Sequence, residues 1–279
     1  MTGSGEYIGR DGETFIGNFL GGKKSGPGEA TLPTGDHYIG QWKNDLIEGL
    51  GEFLKRDQYK YIGQWENFKR NGRGLFMSLS NDEKYVGEWL DDKRSGKGEL
   101  VYPNGDYYVG KLTNDQLNGH GEFVGVNGDI YVGQYLNGQK QGHGVFTWKN
   151  GDKYTGGWDN GVRNGFGEMT YEKTNSRYLG DWKHGLMHGH GEFLNNYEKK
   201  KYVGAWEAGS KSGFCELSFV DNNSKFIGEY KNDQKNGIGT LSLSCGIKYT
   251  GEWCDDKKSG LGLRLLASGN KFLGEWKDG

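Results

Sequence analysis

Glycines two residues apart recur along the whole 279-residue chain, at Gly26/Gly28, Gly49/Gly51, Gly96/Gly98 and onward. Glycine-rich turns are the backbone that cradles phosphate in nucleotide-binding loops, so that chemistry is tested first. These pairs lack the third glycine at dinucleotide spacing and a helix pattern that would hold a pyrophosphate. The nearest match to a P-loop, Gly17-Asn18-Phe19-Leu20-Gly21-Gly22-Lys23-Lys24, puts Lys24 where Ser or Thr would bind magnesium. His120, His143 and His190 share one slot between paired glycines, but equivalent slots two strand spacings apart stand about 9.6 Å from one another. Zn–N bonds of about 2.0–2.1 Å do not bridge that gap. His184, His188 and His190 are closer, with no Cys or carboxylate at motif spacing. Glu6, Glu29, Glu52, Glu99, Glu122, Glu168, Glu192 and Glu216 repeat in one register, whereas acid–base catalysis uses a differentiated pair. The expectation is no catalytic residue, no metal and no cofactor, hence no enzyme.

What positions these residues is a repeat. Tyr85-Val86-Gly87-Glu88-Trp89 is followed by Gly96-Lys97-Gly98-Glu99-Leu100, and the same pattern returns throughout. Its anchors are Phe15, Tyr38, Tyr61, Tyr85, Tyr108, Tyr131, Tyr154, Tyr178, Tyr202, Phe226, Tyr249 and Phe272, spaced 23 or 24 residues apart. Residues i, i+2 and i+4 of a strand share a face, so Tyr38, Gly40 and Trp42 lie on one side and Ile39 and Gln41 on the other. The middle glycine leaves room for an aromatic from a neighbouring strand to lie against bare backbone. Gly49, Gly51 and Phe53 align in the same way, giving two short strands per period.

The interval from anchor to the first paired glycine is 11 residues in every complete period, so length variation falls in the second connection. Asn-Gly-Asp at 104–106, 127–129 and 150–152 marks that connection as a hairpin. The expected fold is all-β: an elongated, twisted antiparallel meander of about 24 short strands, a solenoid-like rod on the order of 115 Å long. It reads as one continuous array over 1–279, with a half repeat at 1–14, complete repeats over 15–271 and a half repeat at 272–279. Exposed edge strands at either end would allow a homodimer or end-to-end oligomer.

Composition sets outer bounds. Hydrophobics at 33% leave little for a deep core, while 14% aromatics suffice for a thin one. A net charge of −2 and a pI near 6.3 argue against nucleic-acid binding. No apolar run reaches bilayer-spanning length. Three cysteines, Cys215, Cys245 and Cys254, make a disulfide framework improbable and point to a reducing, cytoplasmic setting.

Two features could bind. The aromatic face, with Tyr38, Trp42, Tyr61, Trp65, Tyr85, Trp89, Tyr154, Trp158, Tyr178, Trp182, Tyr202 and Trp206, would curve into a partner groove for a helix or an extended peptide. A basic row, Lys24, Arg70, Arg94, Lys140, Arg163, Lys211, Lys235 and Lys258, falls nine residues after the respective anchors, in the hairpin loops. It offers an edge for anionic phospholipid.

The Tyr-x-Gly-x-Trp half followed by Gly-x-Gly resembles the MORN repeat (membrane occupation and recognition nexus) over the whole chain. Departures are Phe19, Leu112, Tyr135 and Tyr230 where the other eight repeats have Trp as the second aromatic, and Cys215 in place of a glycine. The resemblance implies a non-catalytic β-hairpin array used in scaffolding, protein recognition or membrane association, in cytoskeletal or ciliary settings among others. The expected function is a scaffold that binds protein partners in its groove; the alternative is a membrane tether acting through the basic edge.

Overall fold

The computed structural model describes residues 2–279, which form 24 β-strands and no helix, from β1 (Gly3–Ile8) to β24 (Lys271–Trp276). The all-β antiparallel hairpin fold expected from the period is the fold observed. Two compact units divide the chain, one ending at Gln139 and one beginning at Lys140. The first holds β1 to β12 (Ile130–Leu136), and the second, but for the opening Gln139, β13 (Gln139–Thr147) to β24. Within each unit, every strand pairs antiparallel with the next in sequence.

One repeat shows why. In β4 (His37–Lys43), Tyr38 and Gly40 face Phe53 and Gly51 of β5 (Leu46–Lys55). On its other side β5 sets Gly49, Gly51 and Phe53 opposite Trp65, Gly63 and Tyr61 of β6 (Tyr59–Glu66). The Tyr38 ring lies over the two facing glycines, where a Cβ on either would come within 3.0 Å of the ring or its hydroxyl. Its hydroxyl donates to the Gln41 carbonyl at 3.1 Å. All nine tyrosine anchors make the equivalent bond, at 2.7–3.1 Å. The ring covering the glycine therefore comes from the same strand, rather than only from a neighbour. The neighbouring repeat adds its Trp, whose Nε1 donates to the second glycine's carbonyl, as Trp65 does to Gly51 at 3.3 Å and Trp182 to Gly167 at 3.2 Å.

Rings then meet edge to face in series: Tyr61 with its own Trp65 at 5.0 Å between centroids, and with Trp89 of the next repeat at 5.4 Å. Such pairs contribute about 0.5–1.5 kcal/mol beyond their buried area. The anchors from Phe15 to Tyr249 are all but inaccessible, at most 2% exposed, so a single sheet layer makes its core from rings laid on its own backbone.

The first glycine of each pair has another task. Between Gly40 and Trp42 the register slips, so that Glu48, Gly49 and Leu50 stand opposite Gln41 alone. Gly49 absorbs this bulge at φ +74°, a conformation that L-residues disfavour. The first connection is a two-residue turn with both φ positive, Asn44 at 51° and Asp45 at 71°, the I′ geometry that matches strand twist. Its second residue donates its amide one repeat back: Asp45 to the Lys24 carbonyl at 3.1 Å, Asp92 to Arg70 at 3.0 Å, Gly161 to Lys140 at 2.9 Å. Turn, bulge and inter-repeat bond together fix the 11-residue interval.

The Asn-Gly loops differ in turn type from a two-residue hairpin. In Tyr102–Asp106 only Gly105 has positive φ, at 89°, and its amide donates to the Tyr102 carbonyl at 2.9 Å. A longer loop of this kind admits an extra residue, which the tight first turn cannot.

Two substitutions test the ring arrangement. Gly51→Ala should cost about 1–3 kcal/mol in urea unfolding through overpacking against Tyr38; a neutral result would show that the ring does not hold its place. Tyr135 occupies a tryptophan slot with a buried hydroxyl lacking a partner among the described residues. Tyr135→Phe should be neutral or stabilising, whereas Tyr131→Phe, which removes a bond to the Gln134 carbonyl, should cost about 1 kcal/mol.

Candidate functional site

The twelve residues expected to line a partner groove share one face within each unit, and all are buried, with at most 7% of any exposed. They form a floor. What stands above it is the basic row, which begins not in the turns but on the strands that follow, because the turn occupies positions six and seven after each anchor. Lys24 lies 5.0 Å from the Trp42 ring centroid and pairs with Glu13. The Arg70 guanidinium stacks 4.2 Å from Trp89, and Arg163 the same distance from Trp182. Lys140 stands 4.1 Å from Phe146, Lys235 5.6 Å from Trp253 and Lys258 5.2 Å from Trp276. Arg94 and Lys211 face Tyr85 and Tyr202 at 5.9 and 5.5 Å.

Carboxylates of the next repeat's turn complete the arrangement. Asp92 accepts the Arg70 amide and Nε at 2.9 and 3.1 Å, and Asp115 does the same for Arg94. Asp256 accepts the Lys235 amide and ammonium at 3.1 and 3.0 Å. Burial opposes the Asp256 charge, but these bonds and the lysine charge outweigh it and hold the carboxyl below its ordinary range. Lys24, Arg70, Arg94 and Lys235 are thus held between an aromatic face and an acid, while Arg163 donates to the Gly185 carbonyl at 2.8 Å instead.

Three slots of the row are apolar, Ile47, Leu117 and Met187, and at the first of them the turn of the next repeat departs as well. The slot nine after the Tyr38 anchor is Ile47, and the turn position that supplies Asp or Gly in the eleven other repeats is Phe68. Phe68 sits at φ +65°, a strained conformation for a bulky side chain, donates its amide to the Ile47 carbonyl at 3.2 Å, and meets Trp42 edge-on at 6.3 Å. An apolar pair therefore stands where the next two repeats have Arg70 with Asp92 and Arg94 with Asp115. Around it opens a cleft of about 710 Å³ lined by Leu32, Pro33, Phe53, Tyr59 and Phe68 above Trp42 and Trp65, with Glu13, Lys24, Asp45, Arg70 and Asp92 at its sides. A cleft in the second unit, about 270 Å³, is smaller and sets Glu198, Lys200, Lys211, Asp233 and Lys235 beside Phe193, Leu217 and Phe219. Phe68 was missed in the sequence, though a signal existed: it alone departs from Gly or Asp at that turn position.

Cys215 and Leu112, two of the departures from the repeat, are 1% and 0% exposed and reach a ligand only through the shape of the floor. Cys215 lies under the Tyr202 ring where a glycine usually sits, and the residue packing on it from the next repeat is Tyr230 instead of Trp, 5.8 Å from Tyr202. A larger floor residue is matched by a smaller ring. Burial pushes the Cys215 thiol up to about 12. Among the described residues, no group of three or more His, Cys, Asp or Glu is gathered to hold a metal. The P-loop-like stretch spans a strand, the Gly21-Gly22 turn and the next strand, with no helix to face a phosphate.

The fold and this ring-and-cation face define a β-hairpin repeat array. Eleven MORN repeats match, at residues 15–37, 38–58, 61–78, 85–107, 108–130, 131–153, 154–176, 178–195, 202–224, 226–244 and 249–271, and the chain belongs to the MORN repeat family. MORN repeats are non-catalytic protein and membrane interaction modules. No curated protein matches the chain. Solved structures with a similar outline include the CPAP G-box domain (14% identity, TM-score 0.39, covering 64% of this chain and 93% of that one). The TCP10 domain of Danio rerio CPAP is similar at 12% identity and TM-score 0.40, covering 72% and 94%. The Drosophila melanogaster SAS-4 TCP domain, solved with a proline-rich motif of Ana2, matches at 14% identity and TM-score 0.36, covering 64% and 90%.

Two measurements test these environments. In native protein a thiol reagent should modify the exposed Cys245 and Cys254 quickly at pH 8 and leave Cys215 intact until denaturant is added; three equally fast thiols would contradict its burial. Because the folded Asp256 carboxyl titrates below its unfolded range, its stabilisation is present above about pH 4 and lost as pH falls through the lower folded value. The stability gap between wild type and Asp256→Asn should accordingly be larger at pH 7 than at pH 3.

Proposed function

We propose that this chain is a non-catalytic scaffold that holds protein partners, with the cleft over Trp42 and Trp65 as its principal contact in the first unit. The exchange of an ion pair for Ile47 and Phe68 carries this reading. Leu117 and Met187 also lack the charge, but only here is the apolar slot joined by a half-exposed aromatic held in a strained turn where Asp or Gly would be easier. Strain retained at an exposed apolar residue is a mark of a working surface. The cleft suits one or two apolar side chains of a helix or an extended segment, with Tyr59 and Phe53 as walls. The buried tyrosines and tryptophans act as its foundation rather than as its contact surface.

The setting that fits this role is a cytoplasmic, cytoskeletal or ciliary assembly. The membrane-tether alternative gains no support from the basic row, whose cations face rings and, in several repeats, carboxylates of the same molecule.

Phe68→Asp tests the proposal without threatening the fold, since Asp is native to the same turn position elsewhere. The variant should melt at the same temperature or higher and lose at least tenfold in affinity for a partner identified by proximity labelling in cells. If the folded variant retains that affinity, the cleft is not the contact.

A further inference from the structure

The opposite face of the second unit carries a row that the fold does not need. The residue between the paired glycines points away from the rings. There the second unit places Phe166, Phe214, Ile238 and Leu261, which are 62–67% exposed, with His190 between the first two. The same slot in the first unit holds Pro27, Leu50, Arg73, Lys97 and His120. Since Arg and Lys fold equally well at this position, apolarity in the second unit has no structural requirement behind it. Four large apolar side chains in one line form the kind of exposed patch that marks a contact.

Carboxylates alternate with them. Asp181 stands directly across from Phe166, Glu229 from Phe214, Glu252 from Ile238 and Glu275 from Leu261. Two are held in place: Asp181 accepts the His190 amide at 3.0 Å and Glu252 the Leu261 amide at 3.2 Å, at the bulges. None of the four is in an ion pair among the described residues, whereas Glu168 and Glu192 one row away pair with Arg177, and Glu192 also with Lys201. From Phe214 onward the row thus reads apolar, acidic, apolar, acidic, with successive apolar members about 9.6 Å apart at two strand spacings, while His190 and Ala205 separate Phe166 from it. A helix lying across the strands repeats every seven residues, about 10.5 Å, and offers the opposite side of the gap three or four residues on, about 5 Å.

We propose that this face binds a basic amphipathic helix of a partner protein, with an apolar residue at every seventh position and Lys or Arg midway between. The side chains of Phe214, Ile238 and Leu261 meet the apolar positions, and Glu229 and Glu252 meet the cations. The carboxylates make the row repellent to anionic lipid, and a second copy of the same row would set acid against acid. This surface belongs to the second unit and stands independently of the Phe68 cleft in the first.

The test uses a fluorescent four-heptad peptide with Leu at each seventh place and Arg midway, its anisotropy read against the full chain at low and physiological salt. A control peptide carries Glu for Arg. The basic peptide should bind at least tenfold more tightly than the control, and more weakly as salt rises. Phe214→Lys with Ile238→Lys, which installs the side-chain type native to the slot in the first unit, should reduce binding at least tenfold. Glu229→Gln with Glu252→Gln keeps acceptors at the bulges, as Gln64 does for the Arg73 amide, and should remove most of the salt dependence. Phe68→Asp should leave binding unchanged. Equal binding of both peptides, unaltered binding by the double-Lys variant, or Phe214-dependent sedimentation with phosphatidylserine vesicles would each overturn the proposal.

Discussion

A phenol ring resting on two facing glycines is the contact on which the rest depends. With no Cβ at Gly40 and Gly51, Tyr38 lies directly on the backbone, and its hydroxyl satisfies the Gln41 carbonyl beside the bulge. That single placement solves the difficulty of a one-layer sheet, which has no second layer to bury its apolar face. The tryptophan of the next repeat then has a flat wall and a carbonyl to reach, and the cation of the first repeat has an aromatic face to cover. Remove the glycine and each later contact loses its seat.

Because the cations are spent in this way, net charge is a poor guide to the surface. Lys24, Arg70, Arg94 and Lys235 look from their spacing like a free basic edge, yet each stacks on a ring and pairs with a carboxylate. The informative places are where the ladder is interrupted. Ile47 with Phe68 gives an apolar opening on the ring side of the first unit, and Phe166, Phe214, Ile238 and Leu261 give an apolar line on the outer side of the second. Two surfaces of different chemistry are carried by one repeating frame.

Much of the frame could be read from residue order. A side-chain period of two assigns Tyr38, Gly40 and Trp42 to one face, and the fixed spacing of anchors gives the number of strands. The bulge escaped, because counting by twos assumes a register that Gly49 breaks with its positive φ. The basic row was misplaced in the turns for a related reason: the chain has already reversed by the seventh residue after the anchor. Asn-Gly drew attention to the longer connection, whereas the tight turns use Asn-Asp, Asp-Asp or Gly-Gly as readily, since all tolerate positive φ. Phe68 was visible only as an exception, and exceptions acquire meaning once the role of the usual residue is known.

The matched exchange of Cys215 with Tyr230 bears on how such a chain changes over time. A repeat counted from anchor to anchor is not the body that packs: the floor belongs to one copy and the ring that presses on it to the next. Duplicating or deleting a copy therefore joins halves with separate histories, and only generic halves fit together at once. An altered floor such as Cys215 is heritable only alongside its altered neighbour, so idiosyncrasy in this array is inherited by the seam and not by the motif.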